Sequence, residues 1–187
     1  PPPPSAAEAA LAAPGPQTCS VLAGRIEGIH GRPVAHETYL PEAPRTDVMV
    51  FLAHGFKRDL ASMRGWAAHW ASHGVPVTVM SLRNSTWFNG RHDRNAADLL
   101  ILARTLHDGP VLYAGYSAGG LAAYLAAAAE TTGLSGSSPP RAARGIFLSR
   151  LRGTGPAAGG GVPEPGKHPA DAEAVAGGPL RLGGAGA

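Results

Sequence analysis

The residues Gly115-Tyr116-Ser117-Ala118-Gly119 form a G-x-S-x-G pentapeptide. That spacing can make a sharp strand-to-helix turn, with the serine hydroxyl pushed out above a sheet as a nucleophile for acyl transfer. The spelling alone arises easily in a chain with 26 glycines, so the flanks decide its meaning. Residues 110–115 read as a short buried strand opened by Gly109-Pro110. Beyond the serine, Leu121, Tyr124, Leu125 and Ala128 fall at i, i+3, i+4 and i+7, one face of a helix starting near 118–119. The glycines on either side of Ser117 stand where side chains would collide in so tight a turn, and a left-handed backbone is expected at the serine itself.

Such a turn needs a sheet to stand on. Residues 47–53 are a second apolar run, too continuous for a half-exposed strand and suited to a parallel strand covered on both faces. It ends in His54-Gly55-Phe56. A helical pattern over about 60–73, a strand over 76–82 and a helix over about 94–107 follow. In the last of these Leu99, Leu102, Ala103 and Leu106 share one face, with Asn95 and Asp98 offering an approximate cap. A further strand is expected at 145–148. Alternating strands and helices give an α/β fold with a mostly parallel, doubly wound sheet.

With two motifs on these elements, the chain resembles the α/β-hydrolase family over about residues 25–149. The matching residues are His54-Gly55-Phe56 after one strand and Gly115-Tyr116-Ser117-Ala118-Gly119 after another. The resemblance implies a sheet of that type, Ser117 as nucleophile, and an oxyanion hole made by the backbone amides of Phe56 and Ala118. It implies a small-molecule ester or related acyl substrate and neither metal nor organic cofactor. Esterase, lipase, thioesterase and peptidase all stay open. A noncatalytic or truncated, inactive relative is the alternative.

The family's nucleophile is followed by an acid and then a histidine. After Ser117 the only histidine is His168, and the only carboxylates are Glu130, Glu164, Asp171 and Glu173. Glu130 ends the helix behind the serine, while Glu164 and His168 sit in a Gly/Pro-rich stretch. Residues 150–187 hold 11 of the glycines and no aromatic residue, a composition expected to stay disordered. The sheet is therefore expected to be incomplete at its C-terminus. Either the reading frame is lost near Ser149-Arg150 or the chain is truncated there. A sheet ending at 146–148 would leave a raw edge and uncovered helical faces.

Three segments result: a Pro/Ala-rich disordered arm over 1–24, a partial hydrolase domain over 25–149 and the tail over 150–187. The arm fits a mature secreted or periplasmic enzyme whose signal peptide has been removed. Cys19 alone permits no internal disulfide. No apolar run is long enough for a transmembrane segment. The net charge of +3 comes from scattered arginines; their one cluster, Arg141, Arg144, Arg150 and Arg152, straddles the junction with the tail, so nucleic-acid binding is not expected. His69 and His73 share a helical face without a third metal ligand. Trp66, Trp70 and Met63 read as core, and Asp93 as a helix cap rather than half of a His92-Asp93 dyad. Residues 161–168 imitate a phosphate loop but have no preceding strand. No dinucleotide fingerprint follows the first clear strand. Oligomeric state has no signature in the sequence.

Overall fold

In a computed structural model of the 187-residue chain, the structure describes residues 5–83, 85–86, 89–132 and 143–148. Helix α1 (Ala6–Ala12) precedes strands β1 (Cys19–Glu27), β2 (Pro33–Pro41) and β3 (Met49–Ala53). Helix α2 (Arg64–Ser72) leads to β4 (Val77–Met80) and to a two-residue ribbon of β5 (Ser85–Thr86) and β6 (Asn89–Gly90). Helix α3 (His92–Leu106), strand β7 (Val111–Tyr116), helix α4 (Ala118–Thr132) and strand β8 (Ala143–Leu148) complete the order. Six strands form one sheet in the order β1-β2-β4-β3-β7-β8. β1 and β2 are antiparallel and β2 runs antiparallel to β4, whereas β4, β3, β7 and β8 are parallel. The fold is α/β, with a mostly parallel sheet.

Period-two alternation explains why β3 is apolar throughout. Met49, Phe51 and Ala53 face one core with Val111, Tyr113, α3 and α4. Val50 and Leu52 face the other, with Leu60, Met63, Ala67 and Ala71 of the α2 segment. Helices cover both faces, so neither can be polar. Trp66 and Trp70 lie half-buried against that second core, the packing role expected of them. Leu99, Leu102 and Ala103 of α3 are fully buried, as their spacing requires.

Three features depart from the sequence reading. First, much of the expected arm carries structure. Ser5 caps α1 in a reciprocal capping box with Glu8, and Cys19–Glu27 forms a nine-residue strand paired throughout with β2. His69 and His73 do share a helical face, and their Nε2–H groups donate to the Leu11 and Ala13 carbonyls at 2.9 and 3.0 Å, fixing this segment on α2. Second, neither Asn95 with Asp98 nor Asp93 caps α3. The helix begins at His92, Asp93 is paired with Arg91, and Asp98 is buried to accept the Ile29 N–H at 2.7 Å. A buried backbone donor needed that carboxylate more than the helix end did. Third, the Leu121–Tyr124–Leu125–Ala128 face of α4 points outward, while Ala122, Ala123, Ala126 and Ala127 meet the sheet. Small residues win the inner face because this helix must lie close to the strands.

Candidate active site

Strands β3 and β7 are neighbours whose ends align, with Ala53 opposite Gly115. Each runs into a turn at the same edge of the sheet, and glycines press the two turns together. A Cβ on Gly119 would overlap the Ala53 and His54 carbonyls, and one on Gly115 would overlap the Gly119 backbone. A Cβ on Gly55 would stand 2.8 Å from the Tyr116 ring. The sequence-predicted residues His54, Gly55, Phe56, Ser117 and Ala118 therefore meet in one place. Ser117 is exposed at the tip of its turn with φ of 53°, a left-handed conformation unfavourable to any residue with a Cβ.

Two peptide planes are fixed by hydrogen bonds. The Ser117 carbonyl accepts from the Gly120 N–H at 2.9 Å and the Leu121 N–H at 3.4 Å, so it points down α4. A trans peptide sets its N–H opposite its carbonyl, and the Ala118 N–H therefore points back out of the helix N-terminus. The first turn of α4 holds no acidic residue, so its partial positive charge is not neutralised there. The Gly55 carbonyl accepts from the Arg58 N–H at 3.2 Å and from His54 Nδ1–H at 2.8 Å. The Phe56 N–H points away from both donors for the same reason. Lys57, with φ of 55°, completes this tight loop.

His54 supplies the imidazole of this loop, yet its geometry makes it a strut. Its Nε2 accepts the Leu82 N–H at 2.8 Å while Nδ1–H is spent on Gly55, which fixes the neutral tautomer. Burial pushes its pKa below the ordinary value, although the Gly55 bond opposes the shift. The sequence singled out the His54 turn, but the bond to Leu82 had no local signal because 28 residues separate the partners. Among the described residues no histidine is hydrogen-bonded to the Ser117 hydroxyl. Glu130 is committed elsewhere: at the far end of α4, about 20 Å along the helix axis, it accepts from the Tyr113 hydroxyl at 3.0 Å and pairs with Arg104. Glu164, His168, Asp171 and Glu173, and the loop of residues 161–168, lie outside the described residues.

The other candidates behave as supports. Asp93 pairs with Arg91 instead of His92. Cys19 is a half-buried free thiol whose pKa burial raises. Among the described residues there is no cluster of three metal-ligating side chains, and no helix is long and apolar enough to cross a membrane.

No family model matches the chain, and no curated protein does. Among solved structures it is similar to a brefeldin A esterase, described as a bacterial homologue of human hormone-sensitive lipase. The two share 21% sequence identity over 63% of this chain and 37% of that one, with a TM-score of 0.49. The chain thus spans little more than a third of that protein's length.

Proposed function

We propose that Ser117 is the nucleophile of a serine hydrolase acting on carboxylic esters or related acyl compounds, with the Phe56 and Ala118 amides as its oxyanion hole. The observation that carries the reading is the left-handed Ser117 at the junction of β7 and α4, an exposed hydroxyl held in a conformation that costs about 1–3 kcal/mol. Ser117 Oγ would attack the acyl carbonyl. The two backbone donors would stabilise the tetrahedral oxyanion, each worth about 3–4 kcal/mol where such donors have been removed. The positive end of α4 favours the same charge. A histidine would take the serine's proton and return it to the leaving group, oriented by a carboxylate. His54 does not fill that role, because both its ring nitrogens are engaged.

A second reading, of a hydrolase-like protein without catalysis, is favoured by the same commitment of His54. A fluorophosphonate probe tests the first. We expect slow labelling of Ser117 in preference to every other serine, accelerated by added imidazole as an external base and abolished in Ser117→Ala. Labelling spread evenly over surface serines would remove the nucleophile assignment. Fast labelling lost in His168→Ala would instead assign the base to the C-terminal segment.

A further inference from the structure

A concave site lies on the far side of β4 from the Ser117 turn. Because β2 runs antiparallel to β4, the loop entering β2 comes to the carboxyl end of β4, where Arg83 follows. Ile29, His30, Arg32, Arg83, Arg94 and Asp98 line a cleft of about 280 Å³ there.

The cleft is built from fixed parts. His30 and Gly31 take left-handed backbones, with φ of 61° and 68°. Their loop is closed by the Gly28 N–H donating to the Arg32 carbonyl at 2.8 Å and held from below by the Ile29 N–H on Asp98. Arg83 donates from Nη1 to the Pro33 carbonyl at 2.8 Å, which positions its guanidinium and leaves further N–H donors for a ligand. Arg94 sits in the first turn of α3, where the helix adds partial positive charge. The acid of that turn, Asp93, is engaged by Arg91 through two bonds.

Charge decides the ligand class. Three arginines face one carboxylate in the lining, and the ion pairs of the described residues, Arg64–Glu37, Arg91–Asp93 and Arg104–Glu130, use none of those arginines. Glu27 borders the loop beside Gly31 but does not line the cleft. The lining's excess of two positive charges matches a phosphate monoester, which carries about −1.5 to −2 near neutrality, better than a single carboxylate. Guanidinium groups also suit the paired oxygens of phosphate. We propose that this cleft binds the phosphate group of a small phosphorylated molecule.

Titration of the full chain with inorganic phosphate tests the site by phosphorus NMR line broadening, with ionic strength held constant by sodium chloride. We expect saturable binding, weakened about tenfold by Arg94→Gln and further by Arg83→Gln/Arg94→Gln, as loss of charge-assisted hydrogen bonds predicts. Arg25→Gln/Arg144→Gln removes the same formal charge elsewhere and should leave binding unchanged. Arg94→Gln breaks no hydrogen bond or ion pair described above, so the test stands even if loss of Arg83 disturbs folding. The proposal is overturned by non-saturable broadening, by equal losses in the Arg25/Arg144 variant, or by displacement with acetate as effective as with phosphate itself.

Discussion

His54 shows how one buried side chain can set both the shape of a loop and the response of the molecule to acid. It joins the turn after β3 to Leu82 beyond β4, and it does so as a neutral ring. His36 is also buried, and desolvation holds it below the ordinary imidazole value as it does His54. In the unfolded chain each returns to its ordinary value of 6.5. Between the folded and unfolded pKa values the unfolded chain binds more protons. The stabilisation is therefore complete above the unfolded value and is lost as pH falls through the folded one. Urea midpoints should therefore fall as the pH is lowered below about 6.5. His54→Ala should lower stability by about 1–3 kcal/mol, by leaving the Leu82 N–H without its acceptor, and should flatten part of the pH response. An unchanged pH profile in that variant would mean that His54 is not a source of it.

At the level of elements, the close approach of α4 to β3 and β7 is what brings the two turns together. Gly119 lies on the Ala53 and His54 carbonyls, and backbone cannot rotate aside as a side chain can. Gly119→Ala should therefore cost about 3 kcal/mol or more, beyond ordinary overpacking. Gly65, inside α2 with open space around it, supplies the contrast. Gly65→Ala should add up to about 1 kcal/mol of stability through helix propensity alone. Equilibrium denaturation of both variants separates the two effects, and a Gly119→Ala protein as stable as the parent would refute the tight contact. The same closeness accounts for the alanine-lined inner face of α4, since larger side chains there would lift the helix and separate Ser117 from the Phe56 loop.

For the whole molecule, the consequence is an apolar surface on α4. Leu121, Tyr124 and Leu125 are 43%, 65% and 37% exposed on one helical face, beside the edge strand β8. Contiguous exposed apolar side chains drive association, and β8, which has a single neighbouring strand among the described residues, offers its outer backbone donors and acceptors for further pairing. Sedimentation should show concentration-dependent self-association of this chain. Leu121→Lys/Tyr124→Lys should reduce it without lowering the melting temperature, since both side chains already face solvent. Association undiminished in that variant would shift attention to β8 or to the exposed Val21 and Leu22 of the opposite edge strand.

The sequence by itself determined the parallel centre of the sheet, because strands covered on both faces must be apolar at every position, as Met49–Ala53 is. It determined α3 through the spacing of Leu99, Leu102 and Ala103, and it marked the Ser117 turn because glycines flank a residue that has to bend sharply. It did not reveal β1 and β2, whose pairing is antiparallel and whose alternating or exposed residues form no continuous apolar run. Nor could it orient α4: leucine spacing named one face, but the distance between helix and sheet selected the alanine face for burial. The His54–Leu82 and Asp98–Ile29 bonds, and the meeting of Arg32, Arg83 and Arg94 in one cleft, join residues far apart in the chain. Those depend on which strand lies beside which, and only the folded sheet decides that.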